Sequence, residues 1–197
     1  MHNLDNAEPD LKQYAELLLK WSKKINLIAN STYQTVWDRH IQDSVQLFHV
    51  KQDWTGHHVD LGSGGGLPGI IIAILAKARG CDLRTTLVES DRRKAVFLQT
   101  VIRELRLSAT VLCARIETAE PQQADILTAR ALSNLPQLLE YSEKHRKPDG
   151  VSIFPKGAAW QTEVDRATLH WKFEMTAHQS ATNAESRILK IGRISRV

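Results

Sequence analysis

The stretch Val59-Asp60-Leu61-Gly62-Ser63-Gly64-Gly65-Gly66-Leu67-Pro68-Gly69-Ile70 narrows the choice of fold more than any other part of the chain. Five of the ten glycines fall between positions 62 and 69, and the apolar run Ile71–Ala76 follows directly. A short strand entering a glycine-rich turn, with a helix opening behind it, is how α/β sheets hold nucleotide-like ligands. Glycine serves there because the backbone must reach φ > 0 and approach the ligand with no Cβ in the way. Pro68 suits the first helical position, where its missing N–H leaves nothing unsatisfied.

Several readings of the turn are open. Gly64-x-Gly66-x-x-Gly69 satisfies the dinucleotide pattern, and a purely structural glycine turn is another possibility. The earlier triplet, Gly62-x-Gly64-x-Gly66, follows the strand directly and is preceded by Asp60. That arrangement resembles motif I of class I S-adenosylmethionine (SAM) methyltransferases. SAM carries no pyrophosphate, so the resemblance implies a turn that meets its amino-acid and ribose portions.

The rest of the chain favours the second pattern. Leu11, Tyr14, Ala15, Leu18, Trp21 and Ile25 recur at helical spacing and predict a helix over 10–25. Its basic end, Lys20, Lys23 and Lys24, suits the negative pole of the helix dipole. Ser31-Thr32 is expected to cap a second helix over 33–50. The polar link 52–56 puts a boundary near 54, between an N-terminal helical subdomain (1–54) and a SAM-binding methyltransferase domain (55–197). Strands are expected at 57–61, 84–88, 109–113, 124–128 and 150–154, with helices at 68–79, 91–106, 133–146 and 159–170. That alternation implies a doubly wound α/β sheet, mostly parallel and covered on both faces. Two successive strands, 171–178 and 186–194, then close the sheet with one strand antiparallel. Class I methyltransferases end this way, whereas a dinucleotide fold prefers a sixth parallel unit.

Composition sets the outer limits. Apolar residues make up 42% and charged residues 24%, ordinary for a globular protein, and the run Ile70–Ala76 is too short to span a membrane. The polar, acidic segment Met1–Asp10 does not read as a signal peptide, so a cytoplasmic protein is expected. Cys81 and Cys113 lack metal-ligand spacing and are expected to be reduced, buried thiols, with no metal site. The net charge is +4, yet residues 1–58 hold six Lys/Arg against seven Asp/Glu, so the positive excess belongs to the remainder. An electropositive catalytic portion favours a polyanion such as RNA.

Candidate site residues cluster at the predicted strand ends, where open α/β sheets bind ligands. Glu89 ends the second strand and can accept both ribose hydroxyls of an adenosyl group; its rival role is a helix-start charge before Asp91. Ile116 and Glu117, after the third strand, are candidates for the adenine side. Arg130 follows the fourth strand, where amine-methylating enzymes carry an Asn/Asp-Pro-Pro-aromatic motif that this chain lacks. An arginine there can donate to the O6 and N7-side acceptors of guanine or to a phosphate. Lys156 lies at the same rim after the fifth strand. No cysteine has the Pro-Cys context of a cytosine-C5 nucleophile, and His40 reads as a packed or capping histidine rather than a base.

An ordered set of residues resembles one family: Trp21 through Asn26-Leu27, Arg39-His40…Asp43-Ser44, the loop Asp60–Gly69 with its Gly-Leu-Pro-Gly, Glu89-Ser90, Phe97-Leu98, Arg115-Ile116-Glu117, Arg130-Ala131 and Lys156-Gly157. The family is the bacterial small-subunit ribosomal RNA guanine-N7 methyltransferases, also called glucose-inhibited division protein B, and the resemblance spans about residues 11–197. It implies SAM contacts at Gly62, Gly64, Gly66, Leu67, Ile116, Glu117 and Arg130, with Glu89 on the ribose. Arg39, His40, Arg115 and Lys156 would face RNA, and Arg130, Arg115 and Lys156 would position the guanine. The implied partner is 16S ribosomal RNA or the 30S particle, met by a monomer. Three rivals stay open: a dinucleotide-dependent oxidoreductase, a non-enzymatic RNA-binding or ribosome-assembly protein on a methyltransferase scaffold, and a small-molecule or protein methyltransferase.

Overall fold

The computed structural model describes residues 6–197, so the first five residues of the polar stretch Met1–Asp10 lie outside it. Seven strands form one sheet: β1 (Gly56–Leu61), β2 (Leu83–Val88), β3 (Ala109–Leu112), β4 (Ala124–Ala129), β5 (Arg146–Lys156), β6 (Trp171–Gln179) and β7 (Arg187–Arg196). Their spatial order is β3-β2-β1-β4-β5-β7-β6. The first five pair in parallel, while β7 runs antiparallel to both β5 and β6. The order reverses between β1 and its neighbours β2 and β4, which opens a crevice at their carboxyl ends.

Alternate side chains of each strand go to opposite cores, the period-2 signature of a sheet covered on both faces. Leu87, Ile126, Ile153 and Ile188 join the core on one face, with Val88, Leu127, Phe154 and Leu189 on the other. The first core holds α1 (Glu8–Ser22), α2 (Asp43–Val50), α3 (Gly69–Arg79) and α4 (Arg92–Leu105). The second holds α5 (Leu135–His145) and α6 (Trp160–Ala167). Residues Gly69–Ala76 of α3 are all buried, because the helix lies between the sheet and the N-terminal helices. Leu11, Tyr14 and Leu18 of α1 therefore share a core with Ile70 and Phe97.

Three local expectations need correction. The segment 33–50 is not one helix: a 3-10 stretch, Asn30–Thr35, precedes a π-helical turn, Trp37–Gln42, and then α2. Ser31 and Thr32 therefore lie inside the 3-10 stretch, and Thr32 Oγ1 donates to the Ala29 carbonyl instead of capping. Pro68 stands one residue before α3, as its N-cap, and Gly69 opens the helix. A side chain at Gly69 would sit 2.4 Å from Leu87 and 2.7 Å from the Asp60 carboxylate, so the helix start needs a glycine to pack on the sheet. Cys113 is exposed and Cys81 is half-buried. β3 is the sheet's edge, paired only with β2, and Cys113 follows it into solvent.

Candidate active site

The glycine turn leaves β1 through three left-handed residues, Gly62, Gly64 and Gly66, with φ of +64°, +54° and +90°. A Cβ at Gly62 would strike Leu132 at 2.6 Å, and one at Gly66 would strike Ile70 at 2.5 Å. Glu89 fixes the turn from beside it: its Oε2 accepts the Gly64 amide and its Oε1 the Asp91 amide, both at 2.8 Å. A carboxylate has about four acceptor sites, so two remain for a ligand's hydroxyls. Asp91, partly exposed, caps α4 by accepting from the Arg93 and Lys94 amides, and the Arg93 guanidinium together with those amides holds its carboxyl below the usual range.

These groups border a cleft of about 260 Å³ lined by Gly62, Gly64, Glu89, Ile116, Leu132 and Tyr141, among others. The volume is slightly below the common range of about 300–1,000 Å³ for ligand sites, and Leu132, packed against Gly62, forms part of its wall. The Tyr141 hydroxyl donates to Glu117 Oε1 at 2.6 Å across the mouth, and that carboxylate pushes the phenol up to about 12. The left-handed backbone, the carboxylate at the end of β2 and the apolar wall suit an adenosyl ligand with a free amino acid, which is what SAM is.

Beneath the turn runs a buried polar chain. Thr128 donates to Asp60 Oδ1 at 2.6 Å, so its oxygen receives the His58 Nε2 hydrogen at 2.9 Å, and His58 Nδ1 faces Thr85 at 3.3 Å. Burial lowers His58 to about 3 and raises Asp60 to about 6, against the pull of the Thr128 and Ser63 hydroxyls, the Gly69 amide and Arg130.

A second cleft, about 380 Å³, opens on the other side of the β4 loop, lined by His40, Asp43, Arg130, Ala131, Lys156 and Arg187, among others. Arg130 pairs with Asp43 Oδ2 at 3.1 Å and donates to His40 Nδ1 at 3.2 Å. His40 Nε2 then donates to Thr32 Oγ1 at 2.8 Å. Burial and the Arg130 charge lower His40 to about 4, and its acceptor lone pair already faces the arginine. Lys156 is paired with Glu163 at 2.7 Å and donates to the Ser133 carbonyl, so its charge is already compensated.

Arg130 and Ala131 face the second cleft and Leu132 the first, so one short loop separates the two. Ala131 holds φ +52°, a strained setting for a non-glycine residue of the kind that gathers at functional sites. Of the residues expected on sequence grounds, Gly62, Gly64, Glu89, Arg115, Ile116 and Glu117 meet in the first cleft. His40, Arg130 and Lys156 meet in the second. Gly66 and Leu67 are buried behind the turn, and exposed Arg39 lines an adjoining groove with Gln42 and Asn183. Sequence reasoning did not single out Leu132 or Tyr141. Tyr141 lies beside the apolar stripe Leu135, Leu138, Leu139 of α5, where it reads as packing. Asp43 did stand in a quoted motif, but nothing in the sequence pairs it with Arg130.

Solved structures of the same shape include two SAM-dependent methyltransferases. One, a putative enzyme from Methanococcus maripaludis, has TM-score 0.59 and 12% identity, covering 92% of this chain and 93% of that one. The other, from Aquifex aeolicus, also has TM-score 0.59 and 12% identity, covering 89% and 97%. In sequence, the family model for rRNA small subunit methyltransferase G (GidB) matches residues 7–191. The ribosomal RNA small subunit methyltransferase G of Paracoccus denitrificans is 50% identical over 92% of both chains. That of Dinoroseobacter shibae is 44% identical over 95% of this chain and 96% of its own. With the family model matching nearly the whole chain and relatives 44% and 50% identical, this chain belongs to the rRNA small subunit methyltransferase G family.

Proposed function

We propose that this SAM-dependent small-subunit rRNA methyltransferase transfers a methyl group to N7 of a guanine in 16S ribosomal RNA, working in the cytoplasm as a monomer. The observation that carries this reading is the single short loop, Arg130–Leu132, standing between the cleft lined by Gly62, Gly64 and Glu89 and the one that presents arginine. Gly62, Gly64 and Glu89 hold the cofactor's amino-acid and ribose ends, and Ile116, Glu117 and Tyr141 border its adenine. When bound, SAM supplies an electrophilic methyl group on a sulfonium.

Guanine N7 has an in-plane lone pair and carries no proton at neutral pH, so it attacks without a general base. His40, neutral and facing Arg130, is not asked to be one. Because that lone pair must stay free, Arg130 donates to O6 or to a phosphate rather than to N7. The chain's work is then positioning. The target base has to leave its stack to reach the second cleft, as other base-modifying enzymes require. Arg115 at the first cleft's rim and Arg39 in the groove hold RNA phosphate, while Lys156, tied to Glu163, shapes the wall.

The test is incubation with methyl-labelled SAM and small-subunit RNA or particles from cells lacking the enzyme, followed by mass spectrometry of the digested RNA. The expected product is a single N7-methylguanosine in 16S RNA. A label on any other atom or molecule overturns the reading.

A further inference from the structure

Among the described residues, both hydrogen-bond partners of the Arg130 guanidinium come from one short segment. His40 in the π-helical turn and Asp43 at the start of α2 stand three residues apart, on the same face, and both accept from its guanidinium. Arg130 and Asp43 are 17% and 24% exposed, sheltered enough for the pair to fix a geometry. Asp43 is itself braced. Its Oδ1 accepts from Thr182 at 2.7 Å and from Gln46 at 2.8 Å. Gln46 in turn accepts the Ala181 amide at 2.8 Å, which docks the β6–β7 turn against α2. A guanidinium has five N–H donors in a fixed plane, so anchoring two of its edges orients the rest toward the cleft.

We infer that Asp43 is a positioning residue for methyl transfer, acting through Arg130 and through no contact of its own with the reacting atoms. This rests on the reading of Arg130 as the cation that engages the guanine. Without the carboxylate, the arginine keeps its charge but loses the direction in which it points. Misplacement of a positioning group by about 1 Å is worth on the order of 100-fold in rate.

The experiment is a double-mutant cycle on kcat with Asp43→Asn, Arg130→Ala and the pair, alongside SAM affinity and thermal unfolding of each. Asp43→Asn keeps the shape of the side chain and an oxygen for Thr182. It is expected to lower kcat by about 10- to 100-fold with SAM affinity unchanged. Adding it to Arg130→Ala is expected to slow the enzyme no further. A double variant whose loss is the product of the two single losses overturns the inference, because Asp43 then acts without Arg130. So does Asp43→Asn at the wild-type rate while Arg130→Ala is slow. An Arg130→Ala enzyme at the wild-type rate overturns the parent reading and the inference with it. If Asp43→Asn does not fold, Asp43→Ser takes its place in the same cycle with the same predictions.

Discussion

The hydroxyl of Tyr14 donates to the carbonyl of Gly65 at 2.6 Å, joining the first helix to the glycine turn 51 residues further on. Tyr14 is fully buried, and burial drives its phenol well above the ordinary tyrosine range, so it stays protonated and remains a donor. The N-terminal helix thus ties down the glycine turn that the proposed reading gives to the cofactor. Tyr14→Phe leaves the Gly65 carbonyl without this donor and is expected to destabilise the protein by about 1–2 kcal/mol. Calorimetry should show weaker SAM binding alongside the lower melting temperature; unchanged SAM affinity would mean that the turn holds its shape unaided.

Glu89 holds the turn through two backbone amides and, in the proposed reading, would also hold the ribose. Glu89→Gln places an N–H₂ where one of two backbone amides is now received, so both the Gly64 and Asp91 bonds cannot survive. Charge-assisted hydrogen bonds of this kind contribute about 1.5–3 kcal/mol each. SAM affinity measured by titration is therefore expected to fall by roughly 10- to 100-fold.

The pH dependence follows from His40. Its pKa falls from 6.5 to about 4 in the folded protein, because burial and Arg130 oppose the charged form. A depressed value means that the unfolded chain binds the extra proton first. The stability contribution is thus complete above pH 6.5 and is lost as pH falls through about 4. Asp60 works in the opposite direction, its contribution complete below 3.8 and lost as pH rises through about 6. For catalysis, kcat is expected to be level from pH 6 to 9, since N7 needs no base and His40 is already neutral. A rate that climbs tenfold per unit below pH 7 would restore a general base.

The logarithm of RNA affinity should fall linearly with the logarithm of salt concentration, because arginines and lysines that neutralise phosphates release the counterions condensed on them. Arg39→Ala removes an exposed guanidinium from the groove beside the second cleft. It is expected to flatten that slope by about one unit while leaving SAM affinity alone. A slope unchanged by the substitution would take Arg39 off the RNA face.

How much of this the chain announces depends on the range of the interaction. The period-2 and period-3.6 patterns that made β1 to β7 and α3 to α6 legible are local, and the final hairpin appeared within a residue or two of its place. The glycine turn and Glu89 were legible because a strand end and a φ > 0 backbone need particular residue types. The π-helical turn Trp37–Gln42 was not, since its side chains still recur at a helical spacing and only the tertiary fit selects the wider turn. The Arg130–Asp43 pair spans 87 residues, and Tyr141–Glu117 spans 24. Pairing at that distance is written in the fold, not in any window of sequence. Cys113 misled because a small thiol is usually buried, and here an edge strand ends before it.

A crystal structure of the protein soaked with SAM tests the account most directly. The ribose hydroxyls should lie on Glu89, the adenine between Ile116 and Tyr141, and the methyl group should point past the Arg130–Leu132 loop toward the arginine cleft. A donor bound outside the Gly62–Glu89 cleft, or one whose methyl group faces away from Arg130, would contradict it.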